Sequence, residues 1–390
     1  MVNNKYNFDI VNNRLNTGSL KWDVMENELP LWVADMDFKT LPEVTETLTK
    51  KAESGIFGYA VVTDRWYDAY INWWKKRHDF TIEKQWLIFT TGIVPAISCI
   101  VKRMTNTGDN VVVQTPVYDI FFHSIENHGR HVLESRLVYD GQGYNIDFED
   151  LEQKLSNPRT TLMILCNPHN PVGKIWTKDE LEKIGHLCKK HHVIVVSDEI
   201  HCDLTMPGYE YIPFASVSEE CKDNSITCIS ASKTFNLAGL QSAAVMIPNE
   251  GIFNIMERGL NSDEIAEPGV FAIDGVVAAF ENGHEWVDEL RQYIYNNKVI
   301  VEDFIKKNIT GIKPVSQNCT YLLWLDCSDI SDNVSELCSF IRKTTGLFLS
   351  DGSEYRGNGS KFIRMNIACP ETTLQDALIR LKKAVELYKK

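Results

Sequence analysis

Between residues 85 and 247, short apolar runs alternate with segments of helical periodicity, and this alternation restricts the possible folds more than any other feature. The runs are rich in β-branched residues and end at Gly, Pro, Asp or Ser, as buried strands do. Six strands are predicted: Trp86–Phe89, Asn110–Gln114, Thr161–Cys166, Val193–Val196, Ile226–Ile229 and Ala243–Ile247. Between two of them, Thr177 and Glu180 have the spacing of a capping box at the start of a helix. The alternation predicts an α/β fold, with a mostly parallel sheet and helices on both of its faces.

The C-terminal part of the chain has a different pattern, typical of an α+β unit. Its predicted elements are a long amphipathic helix over 284–308, a strand over 320–326, a Gly-rich loop over 351–360, a strand FIRMNIA and a final helix lined by Leu374, Leu378, Leu381 and Val385. With 390 residues, the chain is longer than one core usually covers. We therefore predict a large domain over 46–284 and a small domain over 285–390. The N-terminal segment 1–45 is predicted to join the small domain.

Charge and cysteine spacing exclude several classes of partner. A net charge of −13 argues against nucleic acid and anionic membranes. The first residues, MVNNKYNFDIVNN, lack the apolar region of a signal peptide, and no apolar run approaches the roughly 20 residues that a bilayer needs. The ten cysteines form no C-x-x-C pair of a zinc site or a thioredoxin-like motif, and no metal site is expected. We expect a cytoplasmic protein with reduced thiols.

Polar residues follow five of the predicted strands at their carboxyl ends, where open parallel sheets bind ligands. These segments are Thr90–Gly92, Thr115–Tyr118, Asn167–Gly173, Asp198–His201 and Ser230–Lys233. We therefore expect a site that combines small, hydroxyl, amide and ionisable groups.

The segment SASKTFNLAGL places Lys233 directly after a predicted buried strand. Burial disfavours the charged form of a lysine, and an amine with a depressed pKa is a nucleophile toward aldehydes. The hydroxyls of Ser230 and Ser232 could donate hydrogen bonds to a phosphate. Taken alone, the S-x-S-K pattern is equally compatible with a surface or structural lysine.

Three other segments carry candidate groups. In VVSDEIHCDL, Asp198 could keep a pyridine nitrogen protonated, although such an aspartate is more often a helix cap or turn former. In CNPHNPVG, Asn170 could bind a phenolic oxygen and a carboxylate, although a Pro-rich turn would also explain the motif. TTGIVPA predicts a helix start at which the N–H groups of Gly92, Ile93 and Val94 face an anion.

In this order, the segments TTGIVPA, TPVYDIFF, CNPHNPVG, SDEIH, SASKTFNLAGL and FIRMNIACP resemble the fold-type I pyridoxal 5'-phosphate (PLP) enzymes of the class I/II aminotransferase superfamily. The similarity runs from GSLKWD and LPLWVADMDF near the start to the final helix. Within that superfamily the chain most resembles the C–S β-lyases, which include pattern-B cystathionine β-lyase, cysteine desulfhydrase and cystalysin. The resemblance implies PLP as cofactor and a large domain with a sheet of the seven-stranded type.

The resemblance also implies roles for individual residues. Lys233 would hold PLP in a Schiff base and then move the α-proton of the substrate. The other implied cofactor contacts are Asp198 on the pyridine nitrogen, Asn170 on the ring oxygen, Tyr118 stacked on the ring, His201 near it, and Gly92, Ile93, Val94, Ser230 and Ser232 on the phosphate. Tyr59, in FGYA, would reach the phosphate of a neighbouring subunit, which implies a homodimer. The implied substrate contacts are Arg364, as a clamp for the α-carboxylate, together with Asn170, Ala34 and Tyr118.

Some positions depart from the family pattern. Gln241 stands where most aminotransferases of the superfamily have a phosphate-binding arginine, and His201 stands where they usually have a tyrosine. Both departures favour the lyase subgroup. Asp119 and the segment 266–275 match even that subgroup loosely, so the substrate stays open.

The leading hypothesis for the function is α,β-elimination of L-cystathionine or an L-cysteine-type substrate to pyruvate, ammonia and a thiol. The first alternative is an aminotransferase with the same fold and cofactor, since no residue forbids transamination. The second alternative is a PLP-binding regulatory protein, which would act through a partner because no winged-helix segment is found at either end.

Overall fold

The computed structural model describes residues 5–389. Met1–Asn4 and Lys390, at the outer ends of the predicted domain ranges, lie outside the described residues. The strands are β1 Leu29–Pro30, β2 Leu87–Thr90, β3 Asn110–Thr115, β4 His131–Arg136, β5 Val138–Tyr139, β6 Tyr144–Asn145, β7 Thr160–Cys166, β8 Ile194–Asp198, β9 Ser225–Ile229, β10 Ala243–Met246, β11 Lys313–Pro314, β12 Leu322–Asp326, β13 Leu347–Phe348, β14 Ser350–Asp351 and β15 Phe362–Asn366. The α-helices are α1 Pro42–Glu53, α2 Asp64–His78, α3 Ile93–Met104, α4 Ile120–Glu126, α5 Phe148–Leu155, α6 Lys178–Lys190, α7 Glu219–Asp223, α8 Glu250–Ser262, α9 Ala272–Asn282, α10 His284–Asn308, α11 Val334–Thr345 and α12 Glu371–Tyr388.

The central sheet has seven strands in the order β2-β10-β9-β8-β7-β3-β4. Strands β4, β3, β7, β8 and β9 pair in parallel, whereas β10 is antiparallel to both of its neighbours. The predicted mostly parallel sheet is therefore confirmed. All six predicted strands are present with shifted ends: Trp86, for example, belongs to a 3-10 turn and not to β2. The seventh strand, β4, was not predicted.

Helices cover both faces of this sheet, as the alternation predicted. Successive residues of a strand point to opposite faces, so Val111 and Val113 of β3 belong to one apolar cluster and Val112 belongs to another. The first cluster includes buried residues of α3, α4 and α8. The second includes buried residues of α5, α6 and α7, together with Trp324 and Phe362 from the C-terminal sheet.

The C-terminal sheet is antiparallel, with four strands in the order β11-β12-β15-β14. The long helix α10 has the predicted bounds, and the four apolar residues predicted to line the final helix α12 are buried. Near the start of the chain, β1 pairs in parallel with β13. The division into domains at residues 45 and 284 stays a prediction.

Two predicted helix starts are confirmed. Helix α6 begins after Thr177, whose side chain and that of Glu180 form both hydrogen bonds of a capping box. Helix α3 begins at Ile93 with Gly92 at its N-cap, directly after β2. None of the helices within residues 5–389 combines the length and apolarity that a bilayer crossing requires.

Candidate active site

A cavity of about 270 Å³ lies where several strands of the central sheet end. Residues from all five predicted strand-end segments or their immediate neighbours border it, as does Ala34 from the N-terminal part of the chain. The predicted site residues that line the cavity are Ala34, Gly92, Ile93, Val94, Tyr118, Asn170, Asp198, His201, Ser230, Ser232 and Lys233. Residues far apart in sequence thus form one site.

Lys233 borders this cavity in the irregular segment after β9. Its Nζ donates a hydrogen bond to the backbone oxygen of Ala34 at 2.6 Å. Burial and the positive charge of Arg364 lower the pKa of Lys233 to about 8, although the carboxylates of Asp35 and Asp198 oppose the shift. A larger fraction of this amine is therefore neutral near pH 7 than for an exposed lysine, as a nucleophile requires.

Asp198 is the last residue of β8 and only 5% exposed. One carboxylate oxygen accepts the backbone N–H of Ile200 at 3.2 Å. Burial raises the pKa of Asp198 to about 7, against the opposing effects of that hydrogen bond and of Lys233. The carboxylate is thus short of cationic partners, and a protonated ring nitrogen would supply one.

His201 is buried in the same turn, and its Nδ1 has no hydrogen-bond partner among the described residues. Burial and the charges of Lys233 and Arg364 lower its pKa to about 3. The imidazole is therefore neutral at pH 7. A neutral ring beside the cavity can offer one donor and one acceptor to a ligand.

One end of the cavity is suited to an anion. The N–H groups of Gly92, Ile93 and Val94 are at the start of α3, where a helix has no internal acceptors for them and carries partial positive charge. Also on the cavity wall, the hydroxyl of Ser230 donates to the backbone oxygen of Ser242 at 2.8 Å and lies 3.0 Å from that of Ser232. These backbone and hydroxyl donors could hold the phosphate of PLP.

Arg364 lies on β15 of the C-terminal sheet and is 5% exposed. Its guanidinium donates to Oδ1 of Asn170 at 3.2 Å, to the backbone oxygen of Trp32 at 2.8 Å and to Oγ of Ser350 at 3.3 Å. Its Nε has no partner, and no carboxylate in the described part of the chain forms an ion pair with it. A buried cation with neutral acceptors and a free N–H suits a carboxylate ligand.

The backbone of Trp32–Phe38, which we call the strap, connects these groups. The oxygen of Trp32 accepts from Arg364, and that of Ala34 accepts from Lys233 and from the hydroxyl of Tyr321. Asn366 binds the oxygens of Val33 and Asp35, and Asn236 binds those of Met36 and Phe38. Side chains that follow β9 and side chains on β15 therefore meet on one backbone segment.

The family model for aminotransferase class I and II matches residues 26–381, which is nearly the whole chain. The chain belongs to the class I and II aminotransferase family. The predicted superfamily and fold class are thereby confirmed.

Members of this family with similar sequences or structures point to one subgroup. The chain is 41% identical to cystathionine beta-lyase PatB of Bacillus subtilis over 385 residues, 97% of this chain and 100% of that protein. The crystal structure of cystalysin from Treponema denticola, which contains PLP, superposes with a TM-score of 0.95 at 34% identity and covers 98% of this chain and 99% of its own. The PLP-bound C–S lyase of Staphylococcus hominis has a TM-score of 0.91 at 30% identity, with 97% and 98% covered.

Within this family fold, Tyr59 does not line the cavity of its own chain. Its side chain is fully exposed, in a segment where Ile56, Phe57 and Val61 are exposed as well. Such a run of exposed apolar side chains is unusual on a monomer surface. The predicted contact of Tyr59 with a neighbouring subunit stays a prediction.

Sequence reasoning missed Ser242, which follows Gln241 at the edge of the cavity. Ser242 is 4% exposed, and its buried Oγ has no partner among the described residues. It begins no motif and follows no strand end, so only its position in the fold reveals it. Gln241, which stands where most aminotransferases of the superfamily have an arginine, also borders the cavity and has left-handed backbone geometry at φ 51°.

Proposed function

We propose that this protein is a PLP-dependent C–S β-lyase that catalyses α,β-elimination of L-cystathionine or an L-cysteine-type substrate to pyruvate, ammonia and a thiol. The observation that carries the proposal is that Lys233 and Asp198 line one cavity, with Arg364 hydrogen-bonded to Asn170 on its wall. The full-length similarity to cystathionine beta-lyase PatB supports the subgroup. The PLP-bound structures of cystalysin and the C–S lyase support the cofactor.

When bound, PLP supplies an aldehyde carbon for an amine and a ring that accepts electrons from the substrate's α-carbon. Lys233 is the amine next to that aldehyde in the proposal. Asp198 holds a proton on the ring nitrogen, and Asn170 donates to the ring oxygen. The first turn of α3 and the hydroxyls of Ser230 and Ser232 hold the phosphate, with Tyr118 against the ring.

Arg364 and Lys233 act on the substrate. The Arg364 guanidinium binds the α-carboxylate, with Asn170 and the backbone of Ala34 beside it. This contact orients the Cα–H bond toward the Lys233 amine, which takes the proton. The Cβ–S bond then breaks, the sulfur leaves with the bonding pair and is protonated as a thiol. The released 2-aminoacrylate reacts with water to give pyruvate and ammonia.

Aminotransferase activity is the second candidate, favoured by the family that the chain matches. One experiment separates the two. The PLP-loaded protein is incubated with L-cystathionine and, separately, with an amino acid plus 2-oxoglutarate. Pyruvate, thiol and glutamate are then measured, with Lys233→Ala as the inactive control. Pyruvate and thiol in equal amounts support the lyase, whereas glutamate without thiol would replace it by the transaminase.

We further propose that the protein is a homodimer in which Tyr59 donates its hydroxyl to the phosphate bound by the partner copy. The exposed apolar segment that contains Ile56, Phe57 and Val61 supports a second copy of the chain as its cover. Light scattering tests the mass, and Tyr59→Phe should weaken PLP binding without changing that mass. A monomer would contradict this part of the proposal.

We also propose a reducing cytoplasm as the compartment. All ten cysteines are free thiols, and nine of them are buried. Fractionation of the native host with antibody detection tests the location, and recovery of the protein outside the cytoplasm would contradict it.

A further inference from the structure

Asp203 is a buried carboxylate close to Lys233 that has no role in the proposed chemistry and does not line the cavity. It is 3% exposed. One oxygen accepts from Nε1 of Trp73 at 3.0 Å and lies 3.0 Å from Nε2 of His78. The other accepts from the hydroxyl of Thr234 at 2.9 Å. Thr234 is the residue directly after Lys233, and it is fully buried.

These contacts keep the carboxylate charged. Burial alone would raise the pKa of Asp203, but the hydrogen bond from His78, the charges of His78 and Arg77, and the hydroxyl of Thr234 lower it below its ordinary value. An ionised oxygen makes a stronger hydrogen bond to a hydroxyl than a neutral one does. The Thr234 contact is therefore a charge-assisted hydrogen bond.

A metal site would be another use of this carboxylate. Ligand atoms of His78, Cys202 and Asp203 lie within 4.8 Å of one another. However, both Asp203 oxygens already accept hydrogen bonds, from Trp73 and Thr234, and these bonds account for the buried carboxylate without a metal ion.

The hydrogen bond between Asp203 and Thr234 also connects two segments of the active site. Asp203 belongs to the turn that follows β8, whose last residue is Asp198, and the backbone bonds Cys202 N to Glu199 O and Leu204 N to His201 O hold that turn together. The hydrogen bond to Thr234 thus joins the segment of the ring-binding carboxylate to the segment of the amine.

Thr234 is well placed to fix the lysine. A lysine side chain has four rotatable bonds and is flexible. The position of Nζ is therefore better defined when the backbone that carries the side chain is fixed. That backbone is held by Phe235 N to Ala231 O and Leu237 N to Ser232 O, both at 2.9 Å. Of the residues adjacent to Lys233 in the chain, only Thr234 adds a side-chain bond to a charged group.

We propose that Asp203 is a positioning residue: through Thr234 it fixes the Lys233 backbone and aims the amine at the cofactor aldehyde and the substrate α-carbon. This inference rests on the proposed function, in which Lys233 binds PLP.

The test compares two threonine-to-valine variants of the full-length protein. Thr234→Val removes the hydroxyl bonded to Asp203 and keeps the shape of the side chain, and Thr234→Ser restores the hydroxyl. The matched control is Thr105→Val, at a buried threonine whose Oγ accepts from the charged Arg130 at 2.8 Å near the far end of α3. Asp203→Asn is the fourth variant.

Three readouts are measured: the first-order rate at which the apo-protein forms its covalent bond with PLP, followed by absorbance; kcat and KM separately; and the apparent Tm. We expect both valine variants to lower Tm. Only Thr234→Val and Asp203→Asn should slow covalent bond formation and lower kcat, each about tenfold or more, since a displacement of about 1 Å can cost a hundredfold. KM should stay within about twofold because Arg364 is untouched.

Near-wild-type rates for Thr234→Ser, with slow rates for Thr234→Val, would support the positioning role. Equal rates for wild type and Thr234→Val, with a lowered Tm, would reduce Asp203 to a structural residue and overturn the inference. If Asp203→Asn does not fold, the threonine pair decides. Failure of the wild-type protein to form any PLP bond at Lys233 would overturn the proposed function itself, and that result differs from all the others.

Discussion

Asp198, at the end of β8, and Asp203, in the turn that follows, lie five residues apart and are both buried, but their surroundings are opposite. Asp198 faces the cavity, accepts a single backbone N–H, and has a pKa raised to about 7 by burial. Asp203 does not line the cavity, accepts from three side chains, and has a lowered pKa. Since buried polar groups are normally satisfied, the carboxylate short of donors marks where a ligand is expected.

The cationic side chains repeat this contrast. Lys233 borders the cavity and Arg364 is bonded to Asn170 on its wall, and both cations have only neutral hydrogen-bond acceptors among the described residues. Lys21, which is fully buried, lies 2.8 Å from a carboxylate oxygen of Asp37. Arg14 pairs with the same Asp37 at 2.8 Å. Within residues 5–389, Lys21 and Arg14 are thus paired with a carboxylate inside the chain, whereas Lys233 and Arg364 are not.

The largest expected effect is at the unpaired lysine. Lys233→Ala should lower turnover by about 10³-fold or more, because both the covalent chemistry and the proton transfer depend on that amine. Its PLP absorbance should match free PLP. Borohydride reduction of the wild-type protein, followed by peptide mapping, should find the cofactor on Lys233. A label on a different lysine would contradict the assignment.

The two aspartates should respond in opposite directions to the same substitution. Asp198→Asn should lower kcat of the PLP-loaded enzyme by about 10²-fold or more, since a neutral partner cannot keep the ring cationic. In the apo-protein the same change should raise stability at pH 8. Asp203→Asn should lower apo-stability by about 1–3 kcal/mol, because buried donors lose an acceptor.

The stability difference at Asp198 has a defined pH dependence. Its folded-state pKa of about 7 exceeds the ordinary value of 3.8, so the protonated form contributes stability below about pH 4. That contribution is lost as pH rises toward 7. The apparent Tm of the Asp198→Asn apo-protein, relative to wild type, should therefore increase between pH 4 and pH 8. A Tm difference that does not change with pH would mean that burial does not raise the pKa of this carboxyl group.

Arg364→Lys tests the unpaired guanidinium. The charge is kept, but the fork that can bind a carboxylate with two hydrogen bonds is lost. With about 1.5–3 kcal/mol for a charged hydrogen bond, kcat/KM should fall at least tenfold, mainly through KM. The PLP spectrum should not change. Arg130→Lys, at a buried arginine bonded to Thr105 and to backbone oxygens, is the matched control and should leave KM unaltered.

The smallest effect concerns the amine in the apo-protein. Because the pKa of Lys233 is lowered to about 8, its neutral fraction should rise with pH through a midpoint near 8. The labelling rate of Lys233 by an amine-selective reagent should follow that curve, as measured by peptide mapping from pH 6 to pH 10. A midpoint near the ordinary 10.5 would show that the cavity does not depress the basicity of this amine.

The sequence was informative where a pattern repeats locally. Strand–helix alternation was sufficient for six of the seven central strands, and the amphipathic pattern of residues 284–308 was sufficient for the full extent of α10. The missed strand β4, HVLESR, lies at the sheet edge and is only partly buried, so it lacks the apolar run by which the other strands were predicted. The capping box at Thr177 worked because both of its hydrogen bonds are local.

The site was predictable only in part. Residues that end a strand or belong to a family motif were found, and those in the described chain line the cavity, with Tyr59 outside it and Arg364 joined to it through Asn170. The unpartnered Oγ of Ser242 and the Asp203–Thr234 bond went unnoticed, because each arises from packing between segments distant in sequence. The contacts of the strap were not predicted either, because they join distant segments and are made by backbone oxygens, which every residue has.

The contacts of the strap join residues that are synthesised at very different times. The ribosome makes Trp32 and Asp35 long before their partners Arg364 and Asn366, which follow 332 and 331 residues later. At roughly 5–20 residues per second, that interval is about 15–70 s. Throughout that interval, the backbone oxygens of the strap lack their hydrogen-bond donors on β15, and the pocket for the α-carboxylate has not formed. A nascent chain released early can therefore carry Lys233 and Asp198 and still lack a finished active site.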